Sequence, residues 1–313
     1  MTTLIPKYTK INSYNRAISD KFGEIVSVKD YGAIGDGVTD DTTAINLALA
    51  SPTSVYFPAG RYLITRPLNA TTRNLGDAGL VYSGRTIYGE GTNTVILAAT
   101  NGYPAIDLTG ASHVTVQDLT ISADTTIVVG NTNAYVGIMN SRGTSSSNTA
   151  YCHFNTFNNI RIFLGSTPAA NSGNGTVGFF NFGGEHLSGS CAEIYANLPM
   201  YIGNLLAFTP LTSNNIPTYG SAYEVPATTS ASCTVQKYDT FALIAYDAFR
   251  TIYFNQAGYI DFSNIYTSTR KVGATFITAT QESFYFASSS EQVRIIGYQE
   301  ESGLFGSTYR MDH

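Results

Sequence analysis

The sequence predicts an all-β chain folded as a right-handed parallel β-helix, a single-stranded solenoid with an N-terminal capping α-helix and a short helical segment ahead of it. Three observations carry that prediction. Charged residues make up only 12% of the 313, about half the usual share, so the polar surface must come from Ser, Thr, Asn and Gly. Such residues suit stacked strands and tight turns better than solvent-facing helices, where Glu, Lys and Arg dominate. From about residue 80 onward, short apolar runs recur with Gly, Asn and Ser between them. None of these runs is long enough to bury its own inner face, but a stack of them makes a continuous core.

Residues 1–25 read as a separate segment. Ile11, Tyr14, Ile18, Phe22 and Ile25 recur at helical spacing and give one apolar stripe. A lone helix of that length is unstable, so the stripe needs the body of the protein or copies of itself. Residues 26–80 form the front of the solenoid. Val26–Val28 reads as a strand, and Gly32, Gly35 and Gly37 permit tight turns. Asp40 or Thr39 is placed to cap a helix from about Asp41 to Ala50, which buries Ala44, Ile45, Ala48 and Leu49. Val55–Phe57 and Arg61–Ile64 are strands about a corner at Pro58.

Residues 81–313 hold the repeating strands, among them Thr86–Gly89, Thr94–Leu97, Val114–Ile121, Ile160–Phe163, Val177–Phe180, Phe241–Ile244, Tyr259–Phe262 and Val293–Ile296. The repeat is weak. Leu119 to Ile160 has room for nearly two coils, and about nine coils fit between residues 80 and 305. At about 4.8 Å per coil the stack would be roughly 40 Å long. Asn158-Asn159-Ile160 and Ser263-Asn264-Ile265 sit alike before a strand, as corner amides do when they pair with backbone groups. Residues 209–232, with Pro210, Pro217 and Pro226, break the rhythm and read as a projecting loop. Residues 141–150 and 166–176 are shorter polar excursions.

The run Val28–Asp41, followed by Val55-Tyr56-Phe57-Pro58-Ala59-Gly60-Arg61-Tyr62-Leu63-Ile64, closely resembles the opening of pectate-lyase-like (pectin lyase-like) β-helix domains in bacteriophage tailspikes and tail fibres. In that family these residues form the first coil and the helix that lids the open end. Thr3–Tyr8 is similar to the start of tail proteins that attach to a virion. The resemblance implies a parallel homotrimer, attachment to other virion tail proteins through the N-terminus, and binding of bacterial surface polysaccharide. It also implies hydrolysis or elimination of that glycan in many members, by carboxylates whose positions vary too much to transfer here. The specific match ends near residue 64.

Composition excludes several partners. The formal net charge is −5 and no Lys/Arg block occurs, so nucleic acid is not expected. No run of 18 apolar residues and no apolar leader is present, so neither membrane insertion nor export by a signal peptide is expected. The expectation is a virion protein made in the host cytoplasm. Cys152, Cys191 and Cys233 are odd in number and widely spaced, which predicts buried free thiols rather than disulfides or a metal site. No metal or cofactor is expected: Asp36, Asp40 and Asp41 lack the spacing of a calcium loop, and His113, His153 and His186 form no zinc motif. The 22 Tyr and 17 Phe mostly suit a core, with some left to hold sugar.

Glycan cleavage needs two carboxyl groups, about 5 Å apart for retention and roughly 6.5–9.5 Å for inversion. Glu185, Glu193, Asp247 and Asp261 are the candidates. Glu185-His186 follows Gly183-Gly184, where backbone can approach a ligand. Asp247 and Asp261 lie between apolar residues, which would raise a carboxyl pKa toward that of a general acid. His186, Tyr219 and Tyr223 are the substrate-binding candidates. Turn caps and outward strand positions explain the same residues without chemistry. The functional expectation is a tailspike or tail fibre that binds host polysaccharide and cuts it if two carboxylates share a cleft. The alternative is a non-enzymatic adaptor that docks another fibre or spike at its C-terminal end.

Overall fold

The computed structural model describes residues 24–69, 84–100, 104–123, 136–141, 152–164, 177–182, 184–196, 198–203, 233–246, 250–255, 257–270, 282–287, 291–301 and 310–311. The apolar stripe of residues 11–22, the loop 209–232 and the candidates Asp247, Tyr219 and Tyr223 lie outside the described residues.

The elements run β1 (Ile25–Ser27), a 3-10 turn (Val28–Tyr31), β2 (Asp36–Asp40), α1 (Thr42–Leu49), β3 (Ser54–Tyr56), β4 (Gly60–Ile64) and β5 (Leu68–Asn69). Next come β6 (Thr86–Tyr88), β7 (Thr94–Ala98), β8 (Pro104–Asp107), β9 (Thr115–Ala123), β10 (Val136–Ser141), β11 (Thr156–Phe163), β12 (Val177–Phe182), β13 (Leu187–Ala196) and β14 (Leu198–Gly203). The last are β15 (Cys233–Tyr246), β16 (Arg250–Asn255), β17 (Ala257–Arg270), β18 (Glu282–Ala287), β19 (Glu291–Ile296), β20 (Gln299–Glu301) and β21 (Arg310–Met311). They form two sheets. The first runs β1-β3-β6-β9-β11-β13-β15-β17-β19, with β2-β4-β7 joining at β9 and β20 at β17; the second runs β5-β8-β10-β12-β14-β16-β18-β21. Every strand pair is parallel, and from β8 to β19 the strands alternate between the two sheets. That is the right-handed parallel β-helix, the hand that parallel crossovers take in nearly all cases.

Register corrects the coil count. Leu119 pairs directly with Ile160, so the 41 residues from Asp118 to Asn159 make one coil rather than nearly two. Coil length varies from 24 residues (Asp239 to Ser263) through 32 (Thr156 to Ser188) and 41 to 49 (Glu193 to Ala242). Beyond residue 80 the described first sheet holds seven coil strands, β6 to β19, where spacing suggested about nine. Sequence distance between paired strands therefore does not count coils.

Inward side chains align from coil to coil. One row is Val55, Ile87, Val116, Phe157, Gly189, Tyr238, Phe262 and Ile295. Gly189 is small there because a Cβ would lie 2.8 Å from the Phe241 ring and 3.2 Å from Tyr238. Aromatic rings in such rows stack at one coil spacing: Phe254 on Phe286 at 4.7 Å, Phe180 on Tyr201 at 4.9 Å. Buried amides are paired too. Asn140 donates to Asn181 (2.9 Å), and Asn155 donates to Asn140 (2.8 Å) while accepting from the Val114 backbone (2.8 Å).

At the front, α1 lays Ile45, Ala48 and Leu49 over the first coil, where Val28 is fully buried. The predicted cap is found in part. Asp41 is the N-cap but makes no side-chain capping bond; its carboxylate accepts from the backbone N–H of Ile34 (2.7 Å) and Gly35 (3.0 Å). Asp40 accepts instead from the Thr42 N–H (3.0 Å) and the Thr65 hydroxyl (2.7 Å). Gly35 has φ +72°, and a Cβ there would meet the Tyr62 ring at 2.8 Å. Burial pushes the Tyr62 phenol up to about 12, and its hydroxyl donates to the Pro58 carbonyl at 2.7 Å.

Two lines of left-handed residues crease the solenoid. His113, Phe154, His186, Val235, Tyr259 and Gln292 all have φ between 53° and 58°. Asp118, Asn159, Cys191, Thr240 and Asn264 form the second line, with φ from 48° to 57°. Each line occupies one position in successive coils, as the register on either side shows. A left-handed residue turns the strand while its neighbours keep their parallel partners. The paired positions of Asn159 and Asn264 are therefore as expected, but both amides donate to carboxylates rather than backbone: Asn159 to Asp118 (2.7 Å), Asn264 to Asp239 (3.0 Å).

Two outcomes follow. Thr240 is β-branched at φ +57°, a conformation Asn adopts more readily. Thr240→Asn should raise stability by about 0.5–1 kcal/mol in urea unfolding. Several carboxyls sit below their ordinary range: Asp36 through the Thr39 and Val38 N–H groups, and Asp239 through Ser263 and Asn264. At Asp40, burial pushes upward but hydrogen bonds from Thr42 and Thr65 outweigh it. Depressed carboxyls stabilise the fold above the unfolded pKa of about 4, and that contribution is lost as pH falls through the folded values. The melting temperature should hold steady down to about pH 5 and drop below about pH 4, with a shallower drop in Asp40→Asn.

Candidate functional site

Outward side chains of the first sheet also align in columns, and one column makes a groove. Beyond the second crease, Thr120, Arg161, Glu193, Ala242 and Tyr266 follow one another across β9, β11, β13, β15 and β17. Ala242 offers only a methyl group between Glu193 and Tyr266. The result is a surface hollow of about 370 Å³, with Ala192 and Phe241 in its floor and Asn159, Cys191, Thr240 and Asn264 along its rim.

Glu193 is the carboxylate of this groove. Its Oε2 receives Arg161 Nη2 at 2.6 Å and Nε at 2.7 Å, and its Oε1 accepts from the Tyr195 hydroxyl at 2.7 Å. Arg161 also lies 5.0 Å from the centre of the Phe163 ring, which stacks on Tyr195 at 4.6 Å. An acid, a guanidinium and a phenol are thus held in one hydrogen-bonded set beside a hollow. Such a set can accept and donate to sugar hydroxyls. It can receive a proton from a substrate only where one of its own bonds to Glu193 is given up. Cys191 is exposed on the rim, which corrects the expectation of buried thiols; Cys152 is buried. The left-handed corner at Cys191 turns its side chain out of the row that Ala192 occupies.

The other candidates fall elsewhere. Glu185 pairs with His153 in the coil before it, with Oε2 3.7 Å from His153 Nε2. It lies at the first crease, eight residues upstream of Glu193 in the same coil. His186 is exposed on that crease, stacked on Phe154 at 4.8 Å. Asp261 is two strands from Ser188 in register, between Lys237 and Arg294. Two strand spacings are already about 10 Å. The further five positions along the coil keep Asp261 away from Glu193. Arg294 binds both oxygens of Asp261 at 2.8 Å and holds its carboxyl below the ordinary range, the reverse of the expected rise. Ile260 and Phe262 are apolar neighbours in sequence but point inward, so Asp261 faces solvent. Among the described residues, no group of three His, Cys, Asp or Glu is placed to hold a metal, and no helix is long and apolar enough to cross a membrane.

Reading the chain without its register missed Arg161, Tyr195, Ala242 and Tyr266. The available signal was Ala242 following Phe241 at the coil position of Glu193. It emerges only once the 49-residue step between Glu193 and Ala242 is aligned.

Comparison with known proteins agrees with this architecture. The family model for rhamnogalacturonase A/epimerase, pectate lyase-like, matches residues 25–217. A non-secreted LysM effector of Penicillium expansum is 46% identical over 69 residues, covering 17% of this chain and 6% of that protein. The pre-neck appendage protein of Bacillus phage B103 is 30% identical over 107 residues, covering 32% of this chain and 11% of that one. This chain therefore spans only a small part of the length of the curated relatives it matches. The tailspike of Acinetobacter baumannii phage AM24 superposes with a TM-score of 0.47 at 13% identity, covering 89% of this chain and 45% of that chain. A model match over more than half of the chain, on a right-handed parallel β-helix with its capping helix in place, makes this protein a member of the rhamnogalacturonase A/epimerase, pectate lyase-like family.

Proposed function

We propose that this protein is a phage tail component that adsorbs to a host surface polysaccharide through the groove over Ala242. The observation that carries this reading is the hollow itself: a missing side chain between Glu193 and Tyr266, flanked by Arg161, Asn159, Thr240 and Asn264. Hydrogen-bonding groups of both kinds line it, and one ion pair within it is already neutralised. A glycan read by its hydroxyls fits that lining better than a nucleic acid does. The similarity to a phage pre-neck appendage protein supports the virion setting. A homotrimer, attachment to other tail proteins through residues 1–25, and docking of a further fibre or spike at the far end belong to the same proposal.

Binding is favoured over two-carboxylate hydrolysis because Glu193 is the one acid among the described groove residues. Of the three catalytic candidates among the described residues, Glu193 alone lines this groove. Glu185 and Asp261 would need substrate to reach other parts of the coil surface.

Purified capsule and lipopolysaccharide from the host provide the test, with binding read by biolayer interferometry and glycan chain length by gel filtration. Ala242→Tyr fills the hollow and should reduce binding at least tenfold, or about 1.4 kcal/mol, with the melting temperature unchanged. Glu193→Gln keeps the shape and should weaken binding less. Undiminished binding by Ala242→Tyr rejects the groove, while shortening of the glycan by wild type but not by Glu193→Gln replaces adhesion with catalysis.

A further inference from the structure

The first crease carries a second feature, separate from the groove. Its left-handed corners point His113, Phe154 and His186 outward in three successive coils. The rings stack face to face, His113 on Phe154 at 4.9 Å and 26°, and Phe154 on His186 at 4.8 Å and 11°. Those separations match the rise of about 4.8 Å between adjacent strands. Within the stack the faces cover one another, so Phe154 offers solvent its edge rather than its face.

The next coil interrupts the stack. His186 aligns with Val235, because Leu187 pairs with Gln236; Val235 aligns with Tyr259, because Gln236 pairs with Ile260. Val235 is 46% exposed and Tyr259 56% exposed. Both keep the left-handed backbone, with φ 54° and 56°. Where a ring would continue the ladder, the chain places a side chain that ends at its γ-methyl groups. His186 and Tyr259 therefore stand two strand spacings apart in register, about 10 Å, and the short Val235 side chain between them leaves a slot in the column of rings. One ring-thick guest fits between them, in the place of the missing rung.

The chemistry around the slot narrows the guest. Two positions past Val235 and Tyr259, on the strand side, stand Lys237 and Asp261, paired in register. Glu185 immediately precedes His186 and faces His153. Charged residues of both signs therefore lie within two positions of the slot along the chain. A pyranose has this pattern: two faces of C–H groups and a rim of hydroxyls. Its puckered ring is thicker than an aromatic one and fills about 10 Å between two walls with less slack. The mixed charges give no net attraction to an acidic sugar.

We propose that His186, Val235 and Tyr259 form a subsite that takes one neutral pyranose residue edge-on, sandwiched between the two rings. It does not depend on the Ala242 groove, and a glycan lying along the solenoid could use both or either.

The test uses the full chain and a panel of methyl glycosides of glucose, galactose, mannose and N-acetylglucosamine, with adenosine as a flat-ring control. Binding is followed by proton NMR of the His and Tyr ring resonances. At least one glycoside should shift the His186 and Tyr259 signals saturably. Val235→Phe supplies the missing rung without removing any polar group, and Phe154 shows that the corner accepts Phe. This variant should abolish those shifts and keep the wild-type melting temperature. Tyr259→Ala should weaken binding about tenfold, whereas Ala242→Tyr, which blocks the groove, should leave it unchanged. Absence of a response to every glycoside, equal binding by Val235→Phe, or tighter binding of adenosine than of any glycoside would each overturn the assignment. Loss of host polysaccharide binding in Ala242→Tyr with glycoside shifts intact would leave this subsite standing and identify the groove as the separate site.

Discussion

Parallel stacking at a fixed rise is the constraint on which everything else in this molecule depends. Every strand of a coil hydrogen-bonds to the same strand of the next, so a residue's surroundings are set by the residues one coil before and after it. Ile194 is buried because Ile162 lies on one side of it and Leu243 on the other. No single coil of 24 to 49 residues could keep such a row dry. α1 meets the same need at the front, where Ile45 and Leu49 take the place that a preceding coil would fill.

The same constraint organises the outside. Side chains that leave the sheet line up along the axis, so chemistry is written in columns rather than in sequence motifs. Arg161, Glu193, Ala242 and Tyr266 are one column, and Lys237, Asp261 and Arg294 lie in another. In the first, a small residue opens a hollow. In the second, Asp261 accepts from Arg294 with both oxygens, and the pairing closes the carboxylate off from the role its apolar sequence neighbours suggested. The left-handed creases add a third arrangement. They turn single side chains outward, within the long strands or just ahead of them, while the flanking residues keep their parallel partners.

The front of the solenoid and the position of most described strands were legible because they rest on local physics. A helix period with an acidic start read correctly as α1 within a residue or so at each end, and Asp40 does accept from the Thr42 N–H, although the N-cap position itself falls on Asp41, whose carboxylate turns to the Ile34 and Gly35 amides. Strands β3, β4, β6, β7 and β9 fell on apolar runs bounded by Gly, Pro and Asn. Strands β14, β16 and β18 were passed over. They belong to the second sheet, and their sequence shows no clear alternation.

Local periodicity and turn chemistry in the sequence determined an all-β solenoid with a capped front, since those depend on neighbours a few residues apart. Tertiary structure alone decided that 41 residues form one coil, that Cys191 is exposed, and that Ala242 opens a groove beside Glu193. The reason is physical: parallel connections differ in length without changing the rise, so sequence distance carries no measure of which residues become neighbours across the ladder.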